Sequence, residues 1–222
     1  MPSPVKEAYF TPESLASQAQ ELLLARGISL RKDPPSLHPS RSALLVLDMQ
    51  RYFLDEASHA YIPSAGAIIP GVDRLIRAFC RHDLPVFFTR HTNTTEDAGL
   101  MASWWRERID PQDPRSAITP LLDPSEAEII EKRRYDAFFD TRLEERLRQL
   151  QVEQVVISGV MTHLCCETTA RSAFMRGFQP YFLVDGTATY NRYFHVATLT
   201  NLSHGFAALS LVTDILAALE GG

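Results

Sequence analysis

The sequence predicts an α/β protein: a three-layer, doubly wound sheet of about six parallel strands with helices on both faces. Three observations predict it. Short, unbroken apolar runs recur, as they do in strands buried on both faces. Segments with apolar residues at helical spacing separate them. The two kinds alternate from residue 43 almost to the end, which calls for right-handed crossovers between parallel strands. At 222 residues the chain is long enough to bury a substantial core.

Residues 1–40 read as an extension that packs on the core or on a neighbouring subunit, and residues 41–222 as the domain itself. In the extension the helical segment is 12–26, "PESLASQAQELLLAR", followed by the proline-rich arm "RKDPPSLHPSR". "ALLVLD" (43–48) is the first strand. "PGVDRLIRAFCRHD" (70–83) is a helix with Val72, Leu75, Ile76 and Phe79 on one face. "PVFFTR" (85–90) is the second strand. An irregular stretch, 91–125, carries Trp104 and Trp105. "EAEIIEK" (126–132) is short and polar, as an edge strand is. "TRLEERLRQL" (141–150) is helical, "QVVISGV" (154–160) is a strand, and 165–177 is a helix stopped by Gly177. "YFLVDG" (181–186), a helix over 192–204, "FAALSLV" (206–212) and a short terminal helix complete the order.

Composition excludes several classes of function. The net charge of −5 and the single dense basic run, Lys132-Arg133-Arg134, give no footprint for nucleic acid. No apolar run approaches the length of a membrane span, and "MPSPVKEAYFTPESL" lacks the apolar core of a secretory signal. Three cysteines are too few for a disulfide framework and fit a reducing compartment, so a soluble cytoplasmic protein is expected.

In a doubly wound sheet, ligands bind beyond the carboxyl ends of the strands. Three reactive side chains stand there. Asp48 closes the first strand, Lys132 closes the third, and Cys165 follows the fourth where "VVISGVMTHLCCETTARSAF" passes from strand to helix. With the first strand central, the three loops can converge. A helix start and a lysine lower a thiol pKa, and a carboxylate can take and return its proton. Backbone N–H groups of the turn "GVMTHLC" can hold an oxyanion. Each residue also has a plainer reading: Cys165 as a small buried hydrophobe, Asp48 as a cap or ion-pair partner, Lys132 as a solvated cation. Cys80 and Cys166 are read as packing.

"ALLVLDMQRYF", "EKRRYDAFFDTRLEERLR" and "VVISGVMTHLCCETTARSAFMRGFQPYFLVDGTAT", in that order, resemble the isochorismatase-like, or cysteine, hydrolases over residues 40–215. The resemblance implies an Asp48–Lys132–Cys165 triad that cleaves a C–N bond of a small amide, carbamoyl or ureido compound through a thioester. It also implies a cis peptide at Val160–Met161, oxyanion donors at the Met161 and Cys165 N–H groups, and assembly as a homodimer or homotetramer. No cofactor is implied. Nicotinamidases carry an Asp-x-His metal site that has no counterpart after the first strand here, so neither a metal nor nicotinamide is expected. True isochorismatases have glycine at the position of Cys165 and use the Asp as a general acid on a vinyl ether. That chemistry, and a non-catalytic binding module on the same scaffold, are the alternatives. Gln50, Phe53, Arg90, His91, Trp104 and Phe138 are the expected substrate contacts. His163 is read as a hydrogen-bonding residue of the turn.

Overall fold

The computed structural model describes residues 5–25, 27–30 and 35–221. In chain order its elements are α1 (Leu15–Leu23), β1 (Ser42–Leu47), α2 (Arg51–Leu54), α3 (Ala65–Arg81), β2 (Val86–His91), α4 (Met101–Trp104), β3 (Glu128–Lys132), α5 (Leu143–Gln149), β4 (Gln154–Val160), α6 (Glu167–Met175), β5 (Gln179–Ala188), α7 (Arg192–Gly205), β6 (Ala208–Ser210) and α8 (Val212–Glu220). The six strands form one parallel sheet in the order β3-β2-β1-β4-β5-β6. Because the order reverses beside β1, the loops after β1 and β4 separate there and leave the crevice in which such sheets bind ligands. β1 and β4 are buried at every residue, as their unbroken apolar runs require. β3 lies at the edge, and its alternating burial matches its polar sequence.

Several boundaries differ from those the sequence suggests. α3 starts at Ala65 instead of Pro70, and Pro70 sits inside it. Pro70 and Gly66 are both exposed, so the carbonyl that the missing N–H leaves free reaches water instead of costing a buried acceptor. β6 shortens to three residues. Cys165 lies in a π-helical turn, Thr162–Cys166, ahead of α6, and not in the first turn of an α-helix. Gly177 does follow α6 with φ 79°, the left-handed conformation that ends helices.

The amino-terminal extension is joined to the core. Tyr9, Phe10, Ala19 and Leu22 are buried within the main apolar cluster. In the proline-rich arm, residues 31–34 and the helix end predicted at Arg26 lie outside the described residues. The described part runs along the start of the sheet: Tyr181 Oη donates to Pro35 O (2.9 Å) and Gln154 Nε2 to Ser36 O (2.9 Å). Among the described residues no helix is long and apolar enough to cross a membrane.

Gly159 fixes the distance between β4 and β1 at the site. Its φ is 107°, and a Cβ there would stand 2.1 Å from Leu47 O. That clash is with backbone, which cannot swing aside. Gly159→Ala is therefore expected to cost about 3 kcal/mol or more, read as a lowered midpoint in urea unfolding.

Candidate active site

Asp48, Lys132 and Cys165 meet at the carboxyl edge of the sheet, the first two as a closed pair. Lys132 Nζ lies 2.7 Å from Asp48 Oδ2, with both side chains fully buried. The same ammonium donates to Cys165 Sγ (3.3 Å) and to Arg134 O (3.0 Å). β1 ends one residue before Asp48, whose φ of 49° turns the chain and aims the carboxylate across the strand ends. Thr89 of β2 then holds it: Thr89 Oγ1 donates to Asp48 Oδ1 (2.6 Å) and accepts from the Asp48 N–H (3.0 Å). The Val160–Met161 peptide is cis. Beyond it the Leu164 and Cys166 N–H groups both donate to Met161 O (3.1 and 3.2 Å), so the turn wraps around Met161 and delivers Cys165 to the crevice.

The electrostatics follow from burial plus one cation. Burial opposes the Asp48 charge, but Lys132, with His91 and the Cys165 thiol, outweighs it and holds the carboxyl below its ordinary value. Burial likewise opposes the Lys132 ammonium, and Asp48 and Cys165 keep it raised. For Cys165 the balance runs the other way. Burial, then the Asp48 carboxylate, push the thiol well above its ordinary value against the pull of Lys132. This reverses the expectation of a lowered thiol pKa. These directions favour a carboxylate on Asp48, an ammonium on Lys132 and a protonated thiol on Cys165, and they leave Asp48 as the group placed to take the thiol proton.

His91 is a neutral support of this cluster. Asn93 Nδ2 donates to Asp97 Oδ1 and Arg133 O, so its Oδ1 must face His91 Nε2 (3.0 Å), which carries the proton. The unprotonated Nδ1 then faces Lys132 Nζ at 3.4 Å. Burial, then Lys132, push the imidazole down to about 4.

Cys165 lies in the wall of a cavity at the carboxyl edge of the sheet. Its other walls include the rings of Tyr52, Phe53, Trp105, Tyr135 and Tyr190. Of the expected substrate contacts, Phe53 and His91 line it. The others are placed elsewhere. Gln50 is buried behind the wall, where Nε2 donates to His91 O (3.0 Å) and Ser116 O (2.8 Å) and Oε1 accepts from His91 N (2.9 Å). Arg90 pairs with Glu131 (2.8 Å), because strand alternation turns it away from the face His91 occupies. Trp104 is 68% exposed, and its neighbour Trp105 lines the cavity instead, with Nε1 donating to Tyr135 Oη (2.7 Å). The backbone turns extended at Trp105, so consecutive side chains diverge. Phe138 stacks on Phe178 in the core, 5.8 Å between ring centroids. His163 is hydrogen-bonded to Thr189 Oγ1 (2.6 Å) and stacked on Phe194, a structural part of the turn.

Thr89, Asn93, Tyr52, His59 and Tyr190 belong to the site without having been singled out as substrate or catalytic residues. Strand alternation could have found Thr89, two residues before His91. No sequence signal marks the others. His59, Tyr52 and Glu107 meet in the cavity wall, with Tyr52 Oη and His59 Nδ1 each 3.3 Å from Glu107 Oε2. Among the described residues no three His, Cys, Asp or Glu side chains gather as a metal ion would require.

Comparison with known proteins agrees with this architecture. The family model described as the Isochorismatase domain matches residues 42–214. A protein called Nicotinamidase 3 from Arabidopsis thaliana is 39% identical over 186 residues, covering 81% of this chain and 87% of the relative. Enterobactin synthase component B of Escherichia coli (strain K12) is 28% identical over 222 residues, covering 98% of this chain and 73% of the relative. Among solved structures, a cysteine hydrolase from Pseudomonas syringae pv. phaseolicola 1448A superposes with a TM-score of 0.82 at 24% identity. It covers 86% of this chain and 99% of its own, a likeness of fold. The matched span takes in all six strands and all three residues of the buried cluster, which makes this chain a hydrolase of the isochorismatase family.

Proposed function

We propose that this hydrolase cleaves the C–N bond of a small amide, carbamoyl or ureido compound through a thioester on Cys165. The observation that carries the reading is the Cys165 thiol held beside a buried Asp48–Lys132 pair in the wall of a small cavity. As Cys165 Sγ attacks the carbonyl carbon, its proton passes to Asp48, and Lys132 stabilises the charge growing on sulfur. The Met161 and Cys165 N–H groups receive the oxyanion. Asp48 then returns the proton to the departing nitrogen, the C–N bond breaks, and ammonia or an amine leaves. Water attacks the thioester with Asp48 as base, releasing the acid and restoring the thiol.

The missing Asp-x-His argued against nicotinamide, but 39% identity to a protein named as a nicotinamidase makes it the first amide to test. The purified enzyme is expected to release ammonia from at least one member of a panel of primary amides and ureido compounds. Rapid acid quenching should reveal an acyl adduct mapped by mass spectrometry to Cys165. Turnover with no adduct and an undiminished Cys165→Ala variant would discard the thioester.

One observation favours a second reading: the similarity to the enterobactin component extends over 98% of this chain, the amino-terminal extension included. Vinyl-ether hydrolysis with Asp48 as general acid predicts that Cys165→Ala stays active while Asp48→Ala does not.

A further inference from the structure

The amino-terminal segment reaches the cavity from outside the family-matched span, through one cation. Lys6 Nζ donates to His59 O and sits 4.6 Å from the centroid of the Tyr190 ring. His59 and Tyr190 both line the cavity, one on the loop after α2, the other beyond β5. They are 131 residues apart in sequence, and the single ammonium joins them by a hydrogen bond to one and a cation–π contact to the other.

The flanking residues hold Lys6 in place. Glu7 N donates to Tyr190 O (2.8 Å), Asn191 Nδ2 to Val5 O (2.8 Å), and Phe10 N to Ser64 Oγ (3.0 Å). Tyr9 continues the same line into the catalytic turn. Its Oη accepts from Thr189 N (3.0 Å) and lies 3.1 Å from His195 Nδ1, which is also 3.1 Å from Thr162 Oγ1. Thr162 directly follows Met161, so the segment touches both the cavity walls and the turn that carries Cys165.

We infer that residues 5–10 are a working part of the substrate site, and that Lys6 is a positioning residue that clamps the His59 and Tyr190 walls and thereby sets substrate affinity. The inference rests on the amide-hydrolase reading only for its kinetic arm. Lys6 does not line the cavity, so its effect must pass through the two walls. Loosening them lowers complementarity to the bound substrate without removing any group that acts on the reacting bond. That separation predicts an effect on KM and little on kcat.

The test uses full-length protein carrying Lys6→Met, which keeps the apolar stem, and Lys6→Arg, which keeps the cation. For an amide that the unaltered enzyme hydrolyses, Lys6→Met should raise KM about five- to tenfold with kcat within about twofold, and Lys6→Arg should restore most of the loss. A second readout needs no turnover. Trp105 lines the cavity and Trp104 is exposed, and these are the only two tryptophans. In a Trp104→Phe background, acrylamide, itself a small amide, should quench Trp105 more strongly once Lys6→Met is added. Lys6→Arg should bring quenching back. Unchanged quenching with a lowered Tm alone would make Lys6 a mere structural tie and overturn the clamp. Should no amide be turned over, the mechanism proposed above fails, and the quenching result still decides the clamp.

Discussion

Cys165→Ala is expected to reduce amide turnover by about 10⁴-fold or more, while stability changes by only about 1 kcal/mol. The asymmetry comes from the position of the sulfur. Sγ stands at the cavity wall, 3.3 Å from Lys132, and is not one of the two charges whose pairing holds the strand ends together. Without it, no covalent intermediate can form, but the Asp48–Lys132 pair and its Thr89 support stay intact. Cys166→Ala should leave kcat within about twofold, because Cys166 is fully buried in the core. Assays of ammonia release beside urea unfolding curves for both variants check this. A Cys165→Ala protein that keeps more than a tenth of the rate would shift the mechanism to Asp48 alone.

Lys132→Met is expected to abolish turnover and to cost about 3–5 kcal/mol, which for a chain of this size lowers Tm by about 10 °C. The cost arises because Asp48 stays buried with its charge unpaired. Its pH dependence has a definite sign. In the unaltered protein Asp48 is held below its ordinary value, so its contribution is present above the unfolded pKa of about 3.9 and is lost as pH falls through the folded value. Lys132 is raised, so its contribution is present below about 10.4 and is lost as pH rises through the folded value. The pair therefore stabilises the whole neutral range. In Lys132→Met the buried carboxyl moves above its unfolded pKa, and the variant loses stability as pH rises from about 4. The deficit against the unaltered protein should be small near pH 4 and large at pH 7, as thermal unfolding across that range can record. A deficit independent of pH would mean that lost packing around the lysine stem, and not the stranded charge, destabilises the variant.

Much of this arrangement was legible in the chain. The doubly wound class followed from alternation, since buried parallel strands leave unbroken apolar runs and their crossovers leave helical spacing between them. Asp48, Lys132 and Cys165 could be placed because each ends or follows a strand, and the topology then brings those ends together. The cavity walls were less legible. They come from loops, where no period relates sequence to facing, so Trp104 and Trp105 were indistinguishable until the backbone after α4 separated them. Gln50 looked like a pocket residue by its nearness to Asp48, yet its amide serves backbone groups of two other segments. The sense of the Cys165 shift was beyond sequence for a different reason. It depends on how burial, Asp48 and Lys132 balance at one atom, and motif recognition supplies only the list of participants. Lys6 went unnoticed because a contact between residues 6, 59 and 190 leaves no trace in local pattern.

The burial that pushes the Cys165 thiol up also bears on how long the enzyme survives. Peroxides and electrophilic metabolites attack thiolates far faster than thiols. A nucleophile kept permanently ionised in an accessible pocket would be spent steadily on such encounters. In the proposed mechanism the sulfur stays protonated until a carbonyl arrives, and the carboxylate that would receive the proton is paired with Lys132. On the proposed mechanism, reactivity is supplied on demand. No resolving partner is at hand, since Cys166 is packed in the core and Cys80 lies on α3. For a chain that cannot rescue an oxidised Cys165 through its own disulfide, storing the nucleophile in its inert form is the available protection.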